Sequence, residues 1–151
     1  MLRQLRDDYK SAIKSAADAH DAATNDESKA ENKYDTRGLE ASYLAEGQSR
    51  RVAELEQSIA TYEKLELALF TGLSPVRLTA LVTLEDAQQQ CKRLFIGPVS
   101  GGLKVSLEGE AYMVVTPKAP LGAALMGKHI GDEVMITSAG QVLHYDIVDL
   151  C

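Results

Sequence analysis

The sequence predicts an α+β fold in which an antiparallel helical hairpin, a short coiled coil, precedes a small antiparallel β domain with one short helix. Apolar residues in the first part recur at alternating spacings of three and four, which is typical of a two-helix seam. Gly72 and Pro75 then interrupt the helical pattern. After them the chain changes to short β-rich runs separated by turn residues. We therefore assign residues 1–70 to the hairpin, 71–76 to a linker and 77–151 to the β domain.

The first helix is predicted over about 22 residues. Its apolar positions form an a/d seam that becomes small toward the far end: Leu2, Leu5, Tyr9, Ala12, Ala16, Ala19 and Ala23. Thr24 with Glu27 fits a capping box that opens a second helix, and Ser28 with Glu31 fits one equally well.

The second helix is predicted to continue to residue 70, over about 40 residues, since no proline appears before Pro75. Its seam contains Val52, Leu55, Ile59, Tyr62 and Leu69. We also expect seam packing from four further apolar residues, with a partner contact or a distorted helix as the alternative: Tyr34, Leu39, Tyr43 and Leu44. The two predicted helices have unequal lengths, which leaves three alternatives. Part of the second helix packs on something other than the first, or it breaks near Gly38 or Gly47, or the native chain has a longer N-terminus that extends the first helix.

Carboxylates concentrate at the tip of the hairpin, residues 20–35. Residues 18–35 carry six acids and two lysines, a net charge of −4 that equals the net charge of residues 1–70. Glu27, Glu31 and Asp35 recur at i, i+4 and i+8, so they share one helix face. Such carboxylates are hard oxygen ligands for Mg²⁺, and they are equally favoured at a helix start by capping and the macrodipole.

The overall composition excludes several classes of protein. A net charge of −6 and a pI near 5.1 argue against direct binding of nucleic acid. No apolar run approaches the length of a membrane helix, and the charged start does not fit a signal peptide, so we expect a cytoplasmic protein with reduced thiols at Cys91 and Cys151. The three histidines lack zinc-ligand spacing, and no stably bound metal or cofactor is expected.

The β domain is predicted from patterns after residue 75. Strands are expected at 76–84, 91–96, 103–105 and 111–116, and a final hairpin pairs 133–137 with 142–148. Pro120 suits the first turn of a short helix through Met126, which Gly127 would end.

The stretch TPKAPLGAALMGKHIGDEV, residues 116–134, resembles the C-terminal signature of the bacterial Gre transcript-cleavage factors. The segments Pro120–Gly122, Ala124–Leu125, Gly127–Lys128 and Gly131–Asp132 stand in register with it, and the ending from Gly140 to Ile147 also fits. The resemblance implies an FKBP-like C-terminal domain. It also implies a hairpin that enters the secondary channel of RNA polymerase, where tip acids help to hold Mg²⁺ of the polymerase active site and backtracked RNA is cleaved.

The tip departs from the family pattern D-L-x-E-N-A-E-Y. Glu31-Asn32 matches the E-N pair, but Ser28 stands at the Asp position. Glu27, Glu31 and Asp35 are the substitute carboxylates that we expect to act at the polymerase metal. A non-cleaving regulator that occupies the channel is the alternative.

The resemblance implies a stimulator of the polymerase's own cleavage activity, not an enzyme, and we expect a monomer that reaches nucleic acid only through the polymerase. Pro117, Pro120 and Leu121 are the expected polymerase-binding residues, because apolar residues framed by prolines in a loop form either a lid on the core or an interface. A peptidyl-prolyl isomerase or chaperone is a further alternative, against which the few aromatic residues of the C-terminal part argue. A self-associating coiled-coil adaptor is another.

Overall fold

The computed structural model describes residues 1–24, 37–138 and 140–151. The chain divides into two compact units, Met1–Lys64 and Leu65–Cys151. We call the first unit the arm and the second the body. The boundary lies ahead of the linker expected at 71–76. No helix in the described ranges is long and apolar enough to cross a membrane.

The arm consists of helix α1, Leu2–Thr24, and helix α2, Arg37–Glu63. The predicted seam is confirmed for both helices between these bounds. Its most buried side chains are spaced seven residues apart on each helix: Leu5, Ala12 and Ala19 on α1, and Leu55 and Tyr62 on α2. The other predicted positions of α1 and the flanking positions Val52 and Ile59 are half-buried. A heptad repeat of this kind keeps one stripe of each helix against the other.

The prediction that the second helix continues to residue 70 is wrong. Helix α2 ends at Glu63, and Leu69 is 91% exposed. Beyond the helix, the Ala68 N–H donates to the Thr79 hydroxyl oxygen at 2.9 Å instead of to an i−4 carbonyl. A break near Gly38 or Gly47, one of the alternatives for the unequal helices, is absent, since α2 runs through both positions.

The expected seam packing near the start of α2 is also wrong for three of its residues. Leu39, Tyr43 and Leu44 are 57%, 66% and 56% exposed, and Tyr34 lies outside the described residues. The register of α1 and α2 locates these three residues. Arg6 forms an ion pair with Glu63 at 2.7 Å. Because the helices are antiparallel, each later residue of α1 lies opposite an earlier residue of α2. Thr24, the last described residue of α1, therefore lies level with about position 45 of α2, and no described residue of α1 lies opposite these three.

The body is a six-stranded sheet with strand order β3-β4-β2-β1-β6-β5 and one short helix. Its elements are β1 Leu81–Asp86, β2 Cys91–Ile96, β3 Lys104–Leu107, β4 Glu110–Val115, α3 Pro120–Leu125, β5 Glu133–Ser138 and β6 Gln141–Leu150. The expected short helix and final hairpin are confirmed to within a few residues. The sheet is mixed instead of antiparallel, because β2 and β4 pair in parallel, with Leu94 opposite Met113.

The first strand begins at Leu81, five residues later than predicted. Thr79 has φ +74°, a left-handed conformation that cannot continue a strand. The Ala80 N–H donates to the Arg77 carbonyl, so the residues before β1 form a turn.

The core of the body lies on one face of the sheet. Alternate residues of the central strands point into it, which is the period expected of a strand with one covered face. Val82, Leu84, Leu94 and Ile96 are at most 1% exposed, and Leu125 of α3 is fully buried with them.

Candidate functional site

The motif of residues 116–134 begins with a tight entry into α3. Pro120 occupies the first turn of the helix, where its missing N–H costs nothing. The Ala119 N–H donates to the Thr116 carbonyl at 3.0 Å. Gly122 lies against that same carbonyl, so a Cβ at this position would lie 2.0 Å from the Thr116 oxygen. Only glycine fits there.

The motif then ends the helix and attaches to a neighbouring segment. Gly127 has φ +78°, which suits the residue after a helix. Its N–H donates to the Val76 carbonyl at 2.8 Å, and the Val76 N–H donates back to the Lys128 carbonyl at 2.7 Å. This pair of bonds fixes the end of α3 to the segment that precedes β1.

A second turn completes the motif. The Asp132 carboxylate accepts the His129 N–H at 2.8 Å, while the Asp132 N–H donates to the His129 carbonyl at 3.1 Å. Gly131 has φ +89° and donates its N–H to the Ile147 carbonyl, which joins the turn to β6. The matched motif residues thus fix the turns on both sides of α3 and join them to neighbouring segments of the body.

The three residues predicted to bind a partner differ in exposure. Pro120 is exposed, Pro117 is half-buried, and Leu121 packs against the body core. Pro120 is therefore the most accessible of the three, and Leu121 contributes mainly to packing.

Two apolar side chains that sequence reasoning missed are presented by the same motif. Met126 is 38% exposed and Ile130 is 39% exposed. Each directly precedes a glycine with positive φ, Gly127 or Gly131, so both side chains lie at turns after the end of α3. An apolar residue immediately before a turn glycine was the available signal.

The predicted tip carboxylates, Glu27, Glu31 and Asp35, lie outside the described residues. Their shared helix face stays a prediction. The described end of the arm does carry negative charge, since Asp18 and Asp21 are both exposed on the last turns of α1. Within the described ranges, no group of three or more His, Cys, Asp or Glu residues could hold a metal ion.

The histidines of the body make local contacts. His144 Nδ1 lies 2.6 Å from Glu133 Oε1, across the β5–β6 pair and on the exposed face. Both cysteines are free, exposed thiols. Partial burial, and secondarily the charge of Asp149, raises the pKa of the Cys151 thiol. A thiol with a raised pKa is less reactive, so Cys151 does not fit a nucleophile.

The chain is similar to curated proteins named transcription elongation factor GreA. It is 30% identical to that of Syntrophus aciditrophicus over 102 residues, which cover 66% of this chain and 58% of the relative. It is 31% identical to that of Methylobacterium nodulans over 113 residues, which cover 74% and 65%. The chain thus spans about three-fifths of the length of the curated relatives it matches. No protein-family model matches it.

A solved structure also shows a likeness: GreA factor homolog 1 of Thermus thermophilus is 17% identical, with a TM-score of 0.40 over 99% of this chain and 94% of that one. This score is low, and the assignment depends on the sequence matches and on the motif in register at residues 116–134. On that basis the chain belongs to the Gre family, as a divergent member.

Proposed function

We propose that the protein is a transcription elongation factor that binds RNA polymerase and inserts its arm into the secondary channel. The observation that carries this proposal is the sequence similarity to proteins named transcription elongation factor GreA. The two-unit architecture is consistent with it, since a slender helical arm and a globular body suit a factor that docks outside an enzyme and reaches inside.

The arm has the dimensions and charge for this role. At 1.5 Å per residue, the 27 residues of α2 span about 40 Å. Outside residues 18–35, residues 1–70 have no net charge, so the negative charge of this part of the chain is concentrated in residues 18–35. A carboxylate-bearing end is attracted to a site that already holds divalent cations.

At the polymerase active site, we propose that Glu27, Glu31 and Asp35 supply oxygen ligands. Carboxylates fit Mg²⁺, which binds proteins through one or two such groups and keeps several waters. A Mg²⁺ ion held there would lower the pKa of a bound water and stabilise the leaving oxygen. The chain itself is then a stimulator of the polymerase's own cleavage activity and not an enzyme.

The body would dock at the mouth of the channel through the motif of residues 116–134, which we call the motif loop. Pro117, Pro120 and Leu121 form the proposed contact, with Pro120 the most exposed. Pro120→Ala keeps a good helix former at the first position of α3, so it should weaken polymerase binding while leaving the melting temperature of the body nearly unchanged.

The first test is stoichiometric binding to core RNA polymerase, followed by transcript cleavage on a backtracked elongation complex in Mg²⁺. We expect faster release of short 3′ RNA fragments. A Glu27→Ala/Glu31→Ala double variant should lose cleavage and keep polymerase binding. The matched control is Glu54→Ala/Glu56→Ala, which removes two exposed carboxylates from α2 away from the tip and should cleave normally. Unchanged cleavage by the Glu27→Ala/Glu31→Ala variant would refute the proposed role of these acids.

A second candidate function is a regulator that occupies the channel without cleaving. Ser28 favours it, because serine stands where the family pattern has Asp. In that case the wild type slows elongation or blocks a cleaving factor, and Ser28→Asp confers cleavage. Cleavage by the wild type at a rate that Ser28→Asp does not raise excludes this candidate.

A further inference from the structure

Thr79 combines backbone strain with burial. It has φ +74° and is 7% exposed. A β-branched residue in the left-handed region is an outlier, because its side chain crowds the backbone. Five glycines of the body adopt positive φ without this cost, and among the described residues Thr79 is the one β-branched residue to do so. The side chain must therefore supply something that glycine would not.

The Thr79 hydroxyl holds the segment that enters the body from the arm. Its oxygen accepts the Ala68 N–H at 2.9 Å, and this bond is partly buried. We call residues 65–70, which follow the end of the arm, the exit segment. Leu67 and Leu69 do not hold it in place, since they are 75% and 91% exposed.

Arg77 makes two further contacts with the exit segment. Its guanidinium donates to the Leu69 carbonyl at 3.1 Å and lies 5.2 Å from the centroid of the Phe70 ring, which packs against the body core. The exit segment is thus attached by specific contacts to Arg77 and Thr79, on one short stretch of chain.

That stretch, residues 76–80, is itself bound to the motif and to the sheet. Val76 exchanges two hydrogen bonds with Gly127 and Lys128, at 2.8 and 2.7 Å. The Thr79 N–H donates to the Ile96 carbonyl at 2.8 Å. The exit segment and the motif loop are therefore both fastened to the same five residues.

We propose that Thr79 is a positioning residue: its hydroxyl fastens the exit segment to the stretch that also carries the motif loop, a contact that we call the latch. The strained backbone is retained because threonine supplies this acceptor where glycine cannot. In terms of the proposed function, on which this consequence rests, the latch keeps the exit segment fastened to the same stretch as the motif loop that docks on the polymerase.

The test is amide hydrogen exchange on the full chain by NMR, read as the ratio of the Ala68 rate to the rate of the buried Ile147 amide in β6. Thr79→Ala should raise this ratio about tenfold, the effect of losing one hydrogen bond. Thr79→Ser keeps the hydroxyl and should stay within about threefold. Thr137→Ala is the matched control, because it removes the same atoms from an exposed position in β5.

Thr79→Gly separates the hydroxyl from the strain and serves if the alanine variant does not fold. It should raise the exchange ratio as Thr79→Ala does, while relieving the backbone. An unchanged ratio in the alanine and glycine variants, or an equal rise in the serine variant, overturns the latch.

The effect of the variants on stalled transcription complexes tests whether the latch matters for the proposed function. Thr79→Ala should bind core polymerase within about threefold of the wild type yet lose its effect on stalled complexes, and Thr79→Ser should restore it. Full activity of Thr79→Ala beside a raised exchange ratio overturns the positioning role. A wild-type chain that does not bind polymerase refutes the proposed function, whereas the exchange ratio still decides the latch.

Discussion

Gly122→Ala is the substitution for which the body makes the sharpest prediction. An added Cβ would lie 2.0 Å from the Thr116 oxygen, 2.8 Å from its carbonyl carbon and 3.1 Å from Val115 Cγ1. Real Cβ atoms essentially never approach closer than 3.0 Å, so α3 or the Thr116 carbonyl must move by about 1 Å. The carbonyl is not free to move, because it accepts the Ala119 N–H that leads into the helix.

The magnitude follows from three contributions. Overpacking a core costs about 1–3 kcal/mol, and a weakened Ala119 hydrogen bond costs about 1 kcal/mol more. The better helix propensity of alanine returns about 1 kcal/mol. A net loss of about 2 kcal/mol should lower the melting temperature of a domain of this size by about 8–16 °C.

The assay is differential scanning calorimetry of the full chain, followed through the transition of the body. Gly72→Ala is the control, since Gly72 has nothing within 4 Å of an added Cβ and no positive φ. It should stay within about 0.5 kcal/mol of the wild type. If Gly122→Ala melts within about 2 °C of the wild type, the close approach of α3 to Thr116 is not a constraint and the reasoning fails.

Three further predictions concern the arm and the C-terminus. Gly47→Ala should stabilise the arm by about 1 kcal/mol in a denaturant titration, because Gly47 lies inside α2 with open space around it; an unchanged midpoint would contradict a helix there. Arg6→Ala should cost less than about 1 kcal/mol in the same titration, since its 2.7 Å ion pair with Glu63 is exposed on both sides; a larger loss would mean that the arginine stem packs the seam. The raised pKa of Cys151 implies that the folded state keeps this proton to higher pH than the unfolded state. Its contribution to stability is therefore present below the ordinary thiol pKa and is lost as pH rises through the folded value, so Cys151→Ser should show a smaller loss of stability in alkali. Peptide-level alkylation should also be slower in the folded chain than in urea, and equal rates would refute the shift.

The arm was predictable where two helices face each other. A seam is a local property of a sequence, because one helix period decides which residues share a stripe. Leu5, Ala12, Leu55 and Tyr62 were assigned correctly on that basis. Leu44 was not, because periodicity shows which residues share a stripe and not which of them a partner covers.

The body was predictable in its elements and less so in its pairing. Alternation identified the strands, but the same alternation serves a parallel or an antiparallel neighbour, so the parallel contact of β2 with β4 was missed. The late start of β1 was missed because threonine favours strands, and nothing local indicates that Thr79 adopts a left-handed conformation. In the site, the sequence left a lid on the core and an interface both open for the loop that holds Pro120 and Leu121, and the packing of Leu121 required the tertiary structure. Polymerase binding by these residues stays a prediction.

The motif that identifies the family has a structural basis for nearly every matched position. Gly122 permits the close approach of α3, Gly127 ends that helix, and Asp132 closes the following turn. A sequence that folds into this body must keep those residues whatever chemistry its arm performs. The resemblance at residues 116–134 therefore constrains the architecture strongly and the reaction weakly. We propose that the choice between a cleaving factor and a channel-occupying regulator depends instead on Glu27, Glu31 and Asp35, the carboxylates that flank Ser28 in the sequence.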